Sequence, residues 1–275
     1  MLESSRLPPA LKRALAAAAP RAPVVGAVRP LGAEGIDRML AGGGLAKGRL
    51  HEIFARESLE EGCATGFAAM LAHVVTREPG DVPAVLWLRE EAAQRRYALH
   101  GPGLADLGID PARLILGVLP DARALLRAGV DALRCPGLGV VVLELHGPAP
   151  LLDLTASRRI ALAAEASGVT PLLLRLGKAQ PAPSAAQSRW NVAAALSTAL
   201  EADAPGHPAL TLSLLRQRGG PAGFDWDVEW DRDAVCFRPA LPGARLPLSG
   251  GGPVPLAAGT GESGGAADAG WRIAV

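Results

Sequence analysis

Residues 50–65 read Leu50-His51-Glu52-Ile53-Phe54-Ala55-Arg56-Glu57-Ser58-Leu59-Glu60-Glu61-Gly62-Cys63-Ala64-Thr65. The first five residues are a short, largely apolar run and predict a buried strand over 50–54. The stretch after it is polar and acidic. From Thr65 to Thr76 the apolar residues fall at Phe67, Met70, Leu71, Val74 and Val75. That spacing returns to one face every three or four residues and predicts a helix. The unit is therefore strand, acidic loop, helix.

The same unit repeats outward along the chain. Residues 84–88 predict a second strand and 90–99 a helix. The turn Gly108-Ile109-Asp110-Pro111 introduces a third strand at 114–118. A helix over 121–133 has Asp121 as its N-cap, because a carboxylate there accepts from the open backbone amides of the first turn. Residues 139–145 are almost all aliphatic, as expected of a strand covered on both faces. A helix over 153–167, with Leu154, Ile160 and Leu162 inward, ends at Gly168, the residue type that takes a left-handed conformation past a helix end. A fifth strand covers 171–176. Regular alternation of strand and helix predicts an α/β fold with a mainly parallel sheet and right-handed crossovers.

The pattern changes after residue 180. Residues 180–188 are rich in Pro, Ala and Ser and predict a loop. Three short strands at 210–217, 224–230 and 234–238, with Gly219-Gly220-Pro221 and Asp231-Arg232-Asp233 between them, predict an antiparallel meander. Phe224, Trp226, Val228 and Trp230 share one face of the middle strand and Asp225, Asp227 and Glu229 the other. Upstream, Pro8 to Ala19 predicts a short helix. The Gly/Pro/Ala-rich stretch from Pro239 predicts disorder, with Trp271-Arg272-Ile273-Ala274-Val275 as a more apolar end. The division is 1–29 (helix and linker), 30–238 (one α/β domain) and 239–275 (tail).

Composition narrows the function classes. The 275 residues carry a net charge of +1, which gives no strong pull toward nucleic acid or membrane. Cys63, Cys135 and Cys236 form no CxxC pair, so neither a disulfide framework nor a zinc site is expected. No run of eighteen apolar residues occurs, so no transmembrane helix is expected. The basic-then-alanine stretch after Leu11 is stopped by Pro20, too early for an export signal. A cytoplasmic protein is the expectation. His51, His73, His100, His146 and His207 are scattered without metal-ligand spacing. His51 in a strand and His73 on a helix are expected to be structural.

A loop that cradles a triphosphate uses glycine amides, a lysine reaching the β/γ-phosphates and a Ser/Thr hydroxyl on magnesium. This loop follows a strand and opens a helix, yet has no Gly-Lys-Ser/Thr. Lys47 precedes the strand and belongs to the glycine run Gly42-Gly43-Gly44, where positive φ is expected to form tight turns. Shifting the register onto Gly62 or Gly66 supplies no lysine. Arg216 and Arg218, beside Gly219 and Gly220, are a candidate contact for a partner or for single-stranded DNA.

Leu31-Gly32, Ile36-Asp37, Gly43-Gly44-Leu45, Gly48-Arg49, Glu52-Ile53 and Glu57-Ser58 together resemble the approach to the P-loop in the RecA recombinase family. Leu107-Gly108-Ile109-Asp110 with Arg113-Leu114 resembles a later stretch of it. Arg189-Trp190 and the run Leu215 to Pro221 leading to Trp226, Glu229, Trp230 and Asp231 are similar to the ImuA group within that superfamily. These are RecA-like or SulA-like proteins of damage-inducible mutagenesis cassettes. The resemblance implies a RecA-like P-loop NTPase core. It puts Ala55 at the first glycine of the loop and Glu60 and Glu61 at its Gly-Lys, with Glu57, Ser58 and Gly62 alongside. It puts Glu144 at the magnesium-holding acid and Glu90 at the water-activating glutamate, both as relics. An acid in place of the lysine opposes a γ-phosphate, so neither catalysis nor ATP as a cofactor is expected. The implied role is a non-catalytic accessory protein of SOS-induced translesion synthesis. Its implied partners are an inactive Y-family polymerase homologue of the ImuB type and an error-prone polymerase, with RecA and single-stranded DNA as further candidates. A divergent DNA-dependent ATPase and a SulA-like division inhibitor that binds FtsZ are the alternatives.

Overall fold

The strand quoted first lies inside the sheet. The computed structural model describes residues 27–77, 83–135 and 137–240, and the expected helix at 8–19 and the tail from 241 lie outside these. Strand β3 (His51–Ala55) sits between β7 (Thr170–Leu176) and β8 (Ser188–Ala194) and is parallel to both. The nine-stranded sheet has the order β11-β10-β9-β8-β3-β7-β6-β4-β5. Strands β4 (Ala84–Glu90), β5 (Leu114–Leu119) and β6 (Leu138–His146) complete the parallel half. Strands β9 (Ala209–Gln217), β10 (Phe224–Asp231) and β11 (Cys236–Pro239) form the antiparallel meander, which joins the parallel half through β8. A two-stranded ribbon, β1 (Val28–Arg29) with β2 (Leu45–Ala46), flanks α1 (Glu34–Asp37). The protein is thus α/β with a large mixed sheet, mostly parallel, ending in antiparallel strands.

Strand β8 is an element the sequence reading did not assign. It is Ser188–Ala194, directly after the Pro/Ala/Ser loop. Trp190 and Val192 are fully buried, but only two positions carry that signal, and Arg189 before them and Asn191 between them read as loop.

Each face of the sheet has its own core. Helix α2 (Glu61–Thr76) packs Phe67, Leu71 and Val75 against β3, β6, β7 and β8, joined by Trp190, Trp230 and Phe237. The rings of Trp230 and Phe237 meet edge-on at 4.8 Å, a favoured aromatic geometry. On the other face, α5 (Ala122–Ala132) and α6 (Leu154–Ser167) cover β4 to β7 with Leu125, Leu126 and Ile160. Helix α5 comes close because a Cβ at Gly129 would lie 2.3 Å from the Leu143 side chain. Two short helices, α3 (Glu91–Arg96) and α4 (Gly101–Asp106), follow β4.

Local signals are met with small corrections. Asp121 and Asp153 cap α5 and α6, accepting from Ala124 and Ala156 amides at 2.7 Å each. Gly168 takes φ +77° after α6. Gly42 and Gly43 have positive φ, but Gly44 does not. At Gly44 a Cβ would lie 2.5 Å from the Arg29 carbonyl oxygen, so glycine is needed there for close approach. In α6 only Ile160 of the three expected inward residues is buried, while Leu154 and Leu162 face out. In β10 the alternation holds through Trp226, which is half-buried. Glu229, expected on the solvent face, is buried against Arg238 at 2.9 Å. His51 is a structural histidine. Nδ1 is 2.6 Å from Ser188 Oγ and Nε2 is 2.8 Å from the Ala46 carbonyl, and burial pushes its pKa down to about 4.

Candidate functional site

The carboxyl ends of β3, β4, β6 and β7 meet at one edge, where open α/β sheets bind ligands. The acidic loop leaves β3 there. Arg56 turns sideways, its amide bonding the Val192 carbonyl and its guanidinium donating to Ser213 Oγ at 2.9 Å. A turn of 3-10 helix, Ser58–Glu60, then leads directly into α2.

This turn is held by its own carboxylates. Glu57 and Glu60 form a reciprocal capping box, with the Glu57 amide donating to Glu60 Oε2 at 3.0 Å. The arrangement satisfies backbone donors that an anion-binding loop would keep open. Glu61 Oε1 accepts from the Gly177 amide at 2.9 Å, tying the start of α2 to the end of β7. Thr65 Oγ1 donates to the Glu61 carbonyl at 2.8 Å. Ala55 ends β3 half-buried, and a Cβ at Gly62 would meet nothing within 4 Å. Leu59 stands at the crest of the loop, 99% exposed.

Glu144, at the end of β6, is fully buried and fully engaged. Trp87 Nε1 donates to its Oε2 at 2.7 Å, and Arg89 donates to Oε1 at 2.7 Å. His146 Nε2 lies 2.9 Å from Oε1 and 2.7 Å from the Tyr97 hydroxyl. The Arg89 guanidinium also sits 4.9 Å from the centre of the Tyr97 ring. Burial alone would raise the Glu144 pKa. The His146 hydrogen bond, the Arg89 charge and the Trp87 donor outweigh it and hold the carboxyl below its usual range. Burial, then the charges of Glu144 and Glu61, push the Tyr97 hydroxyl up.

Glu90 closes β4 and precedes α3. It is half-buried, and among the described residues its side chain makes no hydrogen bond or ion pair. The structure therefore places the loop and Glu144 at the carboxyl edge of one sheet, the loop tied through Glu61 to the end of β7, which lies between β3 and β6, with Glu90 ending β4 on the far side of β6.

Arg216, Arg218, Gly219 and Gly220 are elsewhere. Strand β9 runs against β8, so its end lies at the opposite edge of the sheet, beside Ser188 and Gln187. Both arginines are exposed. Gly219 takes φ +77°, and Gly220 makes room for Gln217. A Cβ at Gly220 would lie 2.6 Å from the Gln217 amide, which is itself bonded to the Ala41 amide at 3.0 Å and the Met39 carbonyl at 2.8 Å. The hairpin thus pins the N-terminal turn against the sheet.

Sequence reasoning missed Arg89, Tyr97 and His146 as partners of Glu144. It also missed a second charged cluster on β3, β7 and β8. There the Arg189 Nε is 2.7 Å from Glu52 Oε2, and Arg175, also buried, lies near both. A charged residue inside an otherwise apolar strand was the available signal in each case.

No protein-family model matches the chain, and no curated protein matches it at a significant level. Among the described residues, no three His, Cys, Asp or Glu side chains are grouped to hold a metal ion. No helix among them is long and apolar enough to cross a membrane.

Proposed function

We propose that this chain is a non-catalytic accessory protein of damage-induced translesion synthesis, built on a RecA-like scaffold of the ImuA kind. The observation that carries the non-catalytic part is the capping of the loop by Glu57 and Glu60. Backbone donors that would face a phosphate are turned onto the protein's own carboxylates, and the residue at the lysine position, Glu61, holds Gly177. The engagement of Glu144 by Trp87, Arg89 and His146 supports the same reading, because a magnesium ligand needs free carboxylate lone pairs. The RecA-like part is supported by the strand, loop and helix order, and by the loop, Glu90 and Glu144 all falling at the carboxyl edge of one sheet. The translesion role and the partners rest on the resemblance of the quoted residues.

In this reading the scaffold presents surfaces rather than chemistry. Its partners are an inactive Y-family polymerase homologue of the ImuB type and an error-prone polymerase. Neither ATP nor a metal is a working cofactor.

The test is ATP binding and turnover by the purified chain, with and without single-stranded DNA, beside co-purification with the two polymerase-type partners. Expected are no saturable ATP binding and a stable complex with the polymerase homologue. DNA-stimulated hydrolysis would overturn the non-catalytic reading and make Glu90 the first residue to replace. Failure to bind either partner, with FtsZ bound instead, would move the chain to the division-inhibitor class.

A further inference from the structure

We infer that the groove between α5 and α6 receives an acidic amphipathic helix of a protein partner, apolar side down. The identity of that partner rests on the accessory-protein reading. The site itself rests on the groove.

The groove has a volume of about 730 Å³ and is lined by Val130, Arg134, Arg159, Leu162, Ala163 and Ala166, with Ser167 at its end. Its floor is apolar and its charged lining residues are both arginines. Leu162 is 65% exposed, on the side of α6 away from the buried Ser157, Ile160 and Ala164. It contributes nothing to the core that would explain a leucine there. Arg159, Leu162, Ala163 and Ala166 follow at i, i+3, i+4 and i+7, one stripe of a helix. Two alanines on that stripe keep the groove open.

From the α5 side the groove is lined by Val130 and by Arg134 just past the helix end, and Arg127 and Arg123 precede Val130 at helical spacing, i−3 and i−7. Arg158 stands beside Arg159 on α6. All five arginines are exposed. Arg134 reaches Asp131 at 3.6 Å, a long contact. Among the described residues Arg123, Arg127, Arg158 and Arg159 make no ion pair or hydrogen bond. In a chain of net charge +1 this is a local concentration of uncompensated charge.

An exposed leucine between alanines, flanked by arginines, fits helix-in-groove recognition, in which apolar anchors spaced i, i+3, i+4 and i+7 enter and charges align the rims. Single-stranded nucleic acid fits less well. It binds through arginines interleaved with aromatic stacking platforms, and α5 and α6 carry no aromatic residue.

The test uses the full chain and titrates it with the inactive Y-family polymerase homologue at two salt concentrations. Variants are Leu162→Asp and the double reversal Arg134→Glu with Arg159→Glu, all at exposed positions. Expected is at least tenfold weaker binding for each variant, an unchanged thermal midpoint, and salt sensitivity that falls in the double reversal. Undiminished binding in both variants would overturn the proposal. So would loss of single-stranded DNA binding with partner binding intact, which would make this a nucleic-acid face. A second probe separates the failures: a synthetic helical peptide with a leucine stripe flanked by glutamates. If it binds the wild-type chain and not Leu162→Asp while the polymerase homologue does not bind, the groove stands and the accessory reading falls. If neither probe binds, the groove falls as well.

Discussion

Glu144 in β6 and Glu52 in β3 both sit in the parallel half of the sheet and are almost wholly removed from solvent. Their surroundings differ. Glu144 has three partners that reach both of its oxygens, and one of them is a fully buried arginine. Glu52 has Arg189 at 2.7 Å and a second arginine, Arg175, that is buried nearby without a carboxylate of its own. Among the described residues the Nε of Arg175, like that of Arg89, has no hydrogen-bond partner, and the Arg175 guanidinium lies 5.9 Å from the Phe54 ring centre. The first cluster is balanced, so removing either charge strands the other. The second already carries an excess of positive charge, so removing one arginine relieves it. Desolvation makes the distinction: a buried charge is tolerated in proportion to what answers it.

The largest expected effect breaks the balanced pair. Glu144→Ala leaves Arg89 buried and unpaired and is expected to cost about 3–5 kcal/mol, read from urea unfolding. A loss below about 1 kcal/mol would show that the network is not a closed unit.

Acid titration comes next and probes two buried groups. His51 is held near pKa 4 against 6.5 unfolded, so its contribution is full above pH 6.5 and declines as pH falls toward 4. The decline is on the order of 3 kcal/mol. Glu144 has its pKa lowered from 4.5, so its contribution is full above pH 4.5 and is lost as pH falls below that. Urea midpoints measured against pH are expected to show both steps, with His51→Gln flattening the upper step and Glu144→Gln the lower.

A smaller effect sharpens the contrast between the clusters. Arg175→Met keeps the stem and removes the surplus charge, and its stability is expected to stay within about 1 kcal/mol of wild type or rise. Arg89→Met is expected to lose several times more. Equal losses would erase the distinction drawn between the clusters. The smallest effect is at Leu59, where Leu59→Ser on a fully exposed crest is expected to shift stability by less than about 0.5 kcal/mol.

Much of the fold was legible because the signals are local. Asp121 and Gly168 mark helix ends through backbone hydrogen bonding, which neighbouring residues decide. The aliphatic run at β6 marks a strand covered on both faces for the same kind of reason. The loop's lack of a lysine was legible too, since it is a matter of composition. Strand β8 was not, because among its buried residues only Trp190 and Val192 are large and apolar, and a two-residue pattern carries no period. Leu162 was read inward from its place in the helix, but a helix presents several faces and the sheet selects one of them.

The sequence by itself determined the alternation of strands and helices, the antiparallel turn at Gly219-Gly220 and an acidic loop where a phosphate cradle would need a lysine. These depend on contacts within a few residues. Only the tertiary structure decided that Glu61 accepts from the Gly177 amide at the end of β7, and that Arg89, Trp87 and His146 converge on Glu144. It also decided that Arg216 and Arg218 lie at the far edge, and that Arg134 and Arg159 line one groove. Those outcomes depend on strand order and register, which bring together residues as far apart as Glu61 and Gly177, 116 positions along the chain.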